Sequence, residues 1–491
     1  MIRDIKDSPL YPIVNPRSVA FFGASNRFTT FGTNLLSSLI SMGFEGGIYP
    51  IHTKEKQVQN RAAFKSVLDL PEVPDVAVMV LPTQVVPEAL EACGRKGIRH
   101  IIVVSGGFKE VGQEGIRQEE RLTQLARQYD IRFLGPNCIG VANPHHNYNV
   151  TFLPYVGRPG FIGMASQSGS FITQMFEYLA SFGFGFSAGI SVGNEANIDI
   201  VDAMEYLAAC PNTKIIALYI EAIRRGRAFI EAARSIVPHK PIVAFYVGGS
   251  ETGKRAGFSH TGALAGPDKL YDGLFQQSGV IRASSINELY DFCWVLGSCP
   301  LPEGNRVIIQ TQSGGPGAAA ADACGRAGLD LPTFSPQTLE KLAPFVPHTG
   351  SVNNPVDLTF TKDPLEYFDG IPQVLLDEPN ADLLMIYILT PESAVIRALE
   401  AMAVSKDQIP KLVESHFDDQ AEALSALKKK YARPIVGFSF HNREHPMLKK
   451  LRAFAIPILP SPNRAAKAMA ALVKYSRFKK ILKDDIIAAN S

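Results

Sequence analysis

The sequence predicts an α/β protein built from three doubly wound domains, and three observations carry that prediction. The 491 residues leave room for about three domains of roughly 100–200 residues each, and a hydrophobic content of 46% supplies each with a core. Short β-rich apolar runs alternate with amphipathic helical patterns from end to end, the rhythm of βαβ units around a parallel sheet. An apolar strand that runs through Ser and Gly straight into a helix recurs as FFGAS at Phe21, VVSGG at Val103, MASQSGS at Met164 and TQSGGPG at Thr311. Each such turn puts unpaired backbone N–H groups at the carboxyl edge of a sheet and the start of a helix, where anions are favoured.

The first domain is expected over 10–145. Its strands are SVAFFGAS, GGIYPIH, DVAVMVLP, IRHIIVVSGG and IRFLGPN, interleaved with helices such as VPEALEACGRKG. The polar stretch NPHHNYNVTFLPYVGRP, with three prolines, reads as a linker. A second set, expected over 150–300, holds strands FIGMAS, FSAGISVG, KIIALYIEA, KPIVAFYVGG and GVIRAS. After SCPLPEG breaks the pattern, a third set over 303–485 opens with NRVIIQTQSGG and continues through ADLLMIYIL, RPIVGFSF and IPILP.

Bulk chemistry narrows the function. Lys+Arg 49 against Asp+Glu 47 gives a net charge of +2 without a basic block, so capture of nucleic acid or a membrane surface is not expected. The six cysteines are scattered without CxxC spacing, which suits reduced cytosolic thiols, and no metal site is expected. The N-terminus is too charged for a signal peptide and no apolar run reaches a membrane-spanning length of ~18 residues, so a cytoplasmic protein is expected.

In the first domain Gly23 follows its strand where a dinucleotide fold makes its first tight turn, yet GxGxxG is absent. After the second strand, Thr53 and Lys54 stand where a NAD site offers an acid to the ribose. A cation there fits a phosphorylated ribose, which leaves NADP and coenzyme A as candidates. In the second domain His260, in GFSHTGALAG, is flanked by the hydroxyls of Ser259 and Thr261 and by glycines. An imidazole that takes up a phosphoryl group needs a free ring nitrogen, a carboxylate to orient the other ring N–H, and donors for the phosphate oxygens. Glu221, at the carboxyl end of KIIALYIEA, is the candidate carboxylate, and Ser166 to Ser170 can form an anion nest.

The succession GAS, VLP at Pro82, VSGGFKEVG, GPNCIGV, SQSG, GNEANIDIVDAMEYL, YIEA, SHTGALAG and NPVDL resembles the NDP-forming acyl-CoA synthetases, the superfamily of succinyl-CoA synthetase and ADP-forming acetyl-CoA synthetase. The resemblance implies a Rossmann-like CoA-binding domain followed by two flavodoxin-like ligase domains. It implies that Gly23, Ser25, Asn26, Arg27 and Phe28 cradle the CoA phosphates, that Lys54 meets the 3′-phosphate, and that Pro82, Ser105, Gly106 and Asn137 line the path of the pantetheine arm. Cys138 is read as packing beside Asn137. NADP then drops out.

By the same resemblance His260 is the phosphohistidine, Glu221 orients it, and Asn194 approaches substrate or phosphate. Ser166, Gln167, Ser168 and Gly169, with Gly262 in the histidine loop, form one phosphate-holding set; Ser313, Gly314 and Gly315 form the other. The family's usual Asn and Ala stand here as Gln312 and Ser313, and Asp357 of NPVDL is expected to order a loop facing the acyl site. The chain has no stretch to spare for an ATP-grasp domain, so it is expected to be an alpha-type subunit in a hetero-oligomer with an ATP-grasp beta-type partner that binds ATP/ADP and Mg²⁺. The implied reaction is acid + ATP + CoA in exchange with acyl-CoA + ADP + phosphate, and a non-catalytic CoA-binding regulatory subunit is the alternative.

Overall fold

The structure, a computed structural model, describes residues 4–250, 252, 266–359 and 363–490, with side chains to 485. Its contacts divide the chain into two compact units, 1–284 with 485–491 and 285–484. The first unit holds two sheets. One contains β1 (Ser18–Phe22) and β2 (Gly47–Ile51); a short hairpin of β3 (Gln57–Val58) and β4 (Arg61–Ala62) follows; then β5 (Val76–Met79), β6 (His100–Val103) and β7 (Arg132–Leu134) complete the sheet. All five sheet strands are parallel, in the order β2-β1-β5-β6-β7. The runs SVAFF and VAVM are buried at every position, because helices cover both faces of the sheet; that is why they read as continuous apolar runs instead of alternating ones.

The second sheet is built from β8 (Val141–Asn143), β9 (Tyr148–Asn149), β10 (Ile162–Ser166), β11 (Phe186–Ser191), β12 (Ile215–Ile220), β13 (Ile242–Tyr246) and β14 (Ile281–Ala283), in the order β14-β13-β12-β10-β11-β8-β9. The strands from β10 onward pair in parallel, whereas β8 joins β11 antiparallel and β9 joins β8 antiparallel. The polar stretch expected as a linker therefore extends this sheet. Its polarity is satisfied inside the protein: Asn143 donates to the Val14 carbonyl at 3.0 Å and to Asn15 Oδ1 at 3.0 Å, and buried Asn149 accepts from the Thr151 hydroxyl at 2.7 Å.

The second unit carries β15 (Val307–Thr311), β16 (Val356–Asp357), β17 (Leu383–Tyr387), β18 (Ile435–Phe438) and β19 (Ile458–Leu459), parallel in the order β16-β15-β17-β18-β19. The core on one side of it gathers Tyr367, Phe368, Phe417 and Leu424. The helix Ile286–Ser298 belongs to this unit, where Asp291, only 2% exposed, accepts from Nε and Nη2 of Arg464, each at 2.6 Å. Burial raises the Asp291 carboxyl against the opposing pull of that guanidinium. Arg464→Ala leaves the carboxylate buried and unpaired, and is expected to cost about 3 kcal/mol of unfolding free energy in urea melts.

In the parallel part of each of the three sheets the first strand, β1, β10 or β15, lies between the second and the third, the doubly wound order that opens a crevice at the carboxyl edge between first and third strands. Three α/β sheets of one winding bear out the predicted fold class. Among the described residues no helix is long and apolar enough to cross a membrane, and no group of three or more His, Cys, Asp or Glu is placed to hold a metal ion.

Candidate functional site

At the first crevice, β1 turns into Gly23 with φ +90, and a Cβ built there would stand 1.9 Å from the Val80 carbonyl oxygen at the end of β5. The helix Phe31–Ser41 closes from the other side, since a Cβ on Gly32 would meet the Gly23 oxygen at 2.3 Å. Only glycines allow this approach. Ser25 shapes the loop between them: its N–H donates to Thr33 Oγ1 at 3.0 Å and its hydroxyl accepts from the Arg27 N–H at 3.2 Å. Asn26 fastens the loop to the β3–β4 hairpin, donating to the Gln57 carbonyl and accepting from the Gln59 N–H, both at 2.9 Å. Arg27, Phe28 and Lys54 are exposed, Phe28 to 84%.

A cavity of ≈ 480 Å³ opens beside this edge. Pro82, Ser105, Gly106 and Asn137 from the first sheet line it, and so do Gln167, Ser168 and Gly169 from the second. Ser105 is set by its hydroxyl, which accepts from the Leu81 N–H at 2.9 Å, and its carbonyl accepts from the Asn137 N–H at 2.8 Å. Cys138 also reaches the wall, but its thiol donates to the Val103 carbonyl at 3.4 Å and burial pushes it up to about 12, so at neutral pH it stays a protonated packing group.

At the second crevice Gln167 spans the ends of β10 and β12. Its Oε1 accepts from the N–H groups of Glu221 and Ala222 at 2.5 and 3.0 Å, while its Nε2 donates to the Ala222 carbonyl at 2.6 Å. Glu221 is thereby fixed one residue beyond β12, at the same edge as the turn Ser166–Gly169. Within that turn the buried Ser166 hydroxyl donates to the Ser168 carbonyl at 2.7 Å, and the helix Gly169–Ser181 begins without a side-chain cap. The second unit repeats the arrangement: Thr311 Oγ1 donates to the Ser313 carbonyl at 2.8 Å, and the helix Gly314–Arg326 also starts uncapped. Asp199, Ser285 and Ser335 cap their own helices, but many described helices start without a side-chain cap, so what marks these two is the Ser–Gly turn at a strand's carboxyl end. Uncapped first-turn N–H groups are donors left over for an anion. Near the second of these turns Asp357 accepts from the Thr359 N–H at 3.0 Å, which orders the loop after NPVDL, and a Cβ on Gly314 would lie 3.1 Å from its carboxylate.

His260 and Gly262 lie outside the described residues. The flanks of their segment are fixed at the edge that carries Glu221. Val247 donates its N–H to the Ile220 carbonyl at 2.9 Å, and the Tyr246 hydroxyl donates to the Gly266 carbonyl at 2.9 Å. Tyr271 stacks on Tyr246 at 3.6 Å and its hydroxyl accepts from the Ile223 N–H at 3.1 Å.

Sequence reasoning missed one cluster. Asn194, expected to approach a ligand, is 4% exposed, and its side-chain amide donates to Glu110 Oε2 at 2.7 Å and to Glu119 Oε2 at 2.9 Å. Its backbone runs beside the GPN turn: Asn194, Ala196 and Ile198 donate their N–H groups to the carbonyls of Pro136, Gly135 and Phe133. Two quoted motifs, GPNCIGV and GNEANID, are thus one hydrogen-bonded structure. Burial lifts the Glu119 carboxyl to about 7 and that of Glu195 to about 8.

Comparison with known proteins gives the same picture along the whole chain. The model of a CoA binding domain matches residues 17–144, that of a succinyl-CoA ligase like flavodoxin domain 159–296, and that of a ligase-CoA domain 307–449. The alpha subunit of acetate–CoA ligase [ADP-forming] I from Pyrococcus furiosus is 37% identical over 474 residues, 96% of this chain and 98% of its own. The 4-hydroxybutyrate–CoA ligase [ADP-forming] of Nitrosopumilus maritimus is 31% identical over 96% of this chain but only 64% of its own length. Among solved structures, the acetyl-coenzyme A synthetase 1 of Ca. Korarchaeum cryptofilum, in complex with phosphate and ADP, superposes with a TM-score of 0.84 at 30% identity, covering 97% of this chain and 98% of that one.

Proposed function

Because this chain belongs to the NDP-forming acyl-CoA synthetases, as an acid–thiol ligase of the alpha-subunit type with a CoA-binding domain, we propose that it forms acyl-CoA by relaying a phosphoryl group through His260. In the synthetic direction a neutral imidazole nitrogen of His260 takes the γ-phosphoryl group from ATP held by an ATP-grasp partner subunit and ADP leaves; Mg²⁺ bound on that partner would supply charge neutralisation. Glu221 accepts the hydrogen bond of the other ring N–H and stabilises the charged ring. The carboxylate of the acid substrate then displaces the imidazole from phosphorus, giving an acyl phosphate. The CoA thiolate attacks the acyl carbon and phosphate leaves. The helix start at Ser168–Gly169 donates N–H groups to the phosphate during these in-line displacements, and the start at Ser313–Gly314–Gly315 offers donors of the same kind.

One observation carries this reading: residues assigned to the pantetheine arm, Ser105, Gly106 and Asn137, and residues assigned to the phosphate nest, Gln167, Ser168 and Gly169, line the same cavity. Thiol and phosphate chemistry need a common space, and few other arrangements would bring those two sets together. The Gly23 turn fits CoA phosphates, because its close packing on Val80 and Gly32 holds a strand-to-helix turn at the carboxyl edge of the sheet, where anions are favoured. Lys54 stands exposed for the ribose 3′-phosphate and Arg27 for the CoA phosphates. Relatives named as alpha subunits support a separate partner subunit. Cytoplasmic action fits six free cysteines. Since the relatives are named as ligases, the regulatory alternative is not carried forward.

The test is CoA-dependent ADP release by the chain co-expressed with an ATP-grasp partner, across acetate and branched, aryl and dicarboxylic acids. Gly23→Ala is expected to raise KM for CoA by about tenfold or more while KM for the acid moves little, since the turn must open to admit the methyl group. An unchanged KM for CoA, or no acid that supports ADP release by the wild type, contradicts the assignment.

A further inference from the structure

We propose that Glu110, Asn194 and Glu119 form a proton-holding latch that positions the CoA-facing loop of the first domain against the second. This rests on the reading that CoA occupies the cavity described above. Glu110 Oε1 accepts from the N–H groups of Gly107 and Phe108 at 2.6 and 3.2 Å, so its carboxylate sets the loop that contains Gly106. Its other oxygen is held by the Asn194 amide, and the same nitrogen reaches Glu119 on the helix Gln113–Gln128. Asn194 Oδ1 in turn accepts from Asn137 Nδ2 at 3.3 Å. Gly106, Asn137 and Asn194 all line the cavity. A Cβ on Gly106 would stand 3.2 Å from Asn137 Oδ1 and 3.3 Å from Glu110 Oε1, which shows how closely the three groups are set.

The latch has a charge problem that fixes how it works. One amide nitrogen has two hydrogens and no net charge, so it can bind two carboxylates but cannot neutralise them; like charges this near disfavour double ionisation. Around Glu119 stand Lys109, whose Nζ is 3.9 Å from Glu119 Oε1, and Glu110 on the preceding turn. Glu120 and Arg127 on its own helix and Arg224 from the second sheet line the ≈ 480 Å³ cavity beside it. Lys109 and Arg224 spend hydrogen bonds on the Asn194 carbonyl, and Arg224 also on that of Glu195, so these cations orient the backbone as much as they balance the acids. Burial leaves Glu119 titrating at about 7. The latched form is the one in which Glu119 holds its proton; as pH rises through about 7 Glu119 becomes a buried carboxylate beside Glu110, the packing that buries it is disfavoured and the loop loses its setting.

The experiment is calorimetric titration of CoA into the full chain, as wild type, Asn194→Ala and Glu119→Gln, at about pH 6 and about pH 8. Glutamine is neutral at every pH, so the wild-type to Glu119→Gln ratio of Kd cancels the titration of CoA itself. That ratio is expected near one at the lower pH and roughly fivefold in disfavour of the wild type at the higher one. Asn194→Ala is expected to bind about tenfold more weakly at both. A merely structural contact would leave the ratio flat. A flat ratio, or wild-type affinity in Asn194→Ala, overturns the latch while leaving CoA binding in place. A wild type that binds no CoA defeats the underlying reading and the latch with it.

Discussion

Replacement of His260 by alanine is expected to lower acid-, ATP- and CoA-dependent ADP formation by at least about 1,000-fold, because on the proposed relay it removes the covalent carrier. The same variant is expected to keep the second half of the reaction. Supplied with a synthetic acyl phosphate and CoA, it should form acyl-CoA and phosphate within about tenfold of the wild type, since that displacement uses the CoA cavity and the helix-start donors and not the imidazole. The two assays together separate the carrier from the site. Full overall activity in the variant removes His260 from the mechanism, and loss of both halves reassigns it to the structure of the cavity.

Gln167→Ala is expected to lower turnover by about 100-fold with KM for CoA little changed. The substitution removes the two hydrogen bonds accepted by Oε1 and the one donated by Nε2, about 1 kcal/mol each. On the proposed relay, Glu221 then loses the fixed position from which it would orient the imidazole. The step affected is phosphoryl transfer, so rapid-quench measurement of phosphoprotein formation should slow by a similar factor. Turnover within about twofold of wild type would mean that the strand ends hold their geometry without the clamp, and that Glu221 is set by something else.

The elements legible in the sequence were those whose chemistry is local. Runs such as SVAFF and IIALYI lie in sheets covered on both faces, so apolar continuity alone marks them. The stretch at 143–159 misled because Asn normally marks loops, whereas Asn143 and Asn149 are paired inside the fold. The Ser–Gly turns were readable as anion-favouring backbone, but the devices that shape them depend on tertiary placement: the Ser166 and Thr311 hydroxyls that turn onto a following carbonyl, and the Gln167 amide that crosses to β12. The latch was beyond reach for a plainer reason. Asn194 finds Glu110 and Glu119 across 84 and 75 residues of sequence, and each acid alone reads as a solvated surface charge.

The relay through His260 is tested most directly in reverse and without nucleotide. The chain is incubated with an acyl-CoA and radiolabelled inorganic phosphate, digested with trypsin, and the label is mapped. Phosphate should displace CoA to give an acyl phosphate, whose phosphoryl group then passes to the imidazole with release of the acid. The account predicts an acid-labile, base-stable label on the peptide 256–269, which contains His260, dependent on the acyl-CoA and absent from His260→Ala. A preparation that makes acyl-CoA with its partner yet carries no label on that peptide, or one in which His260→Ala is labelled equally, contradicts it.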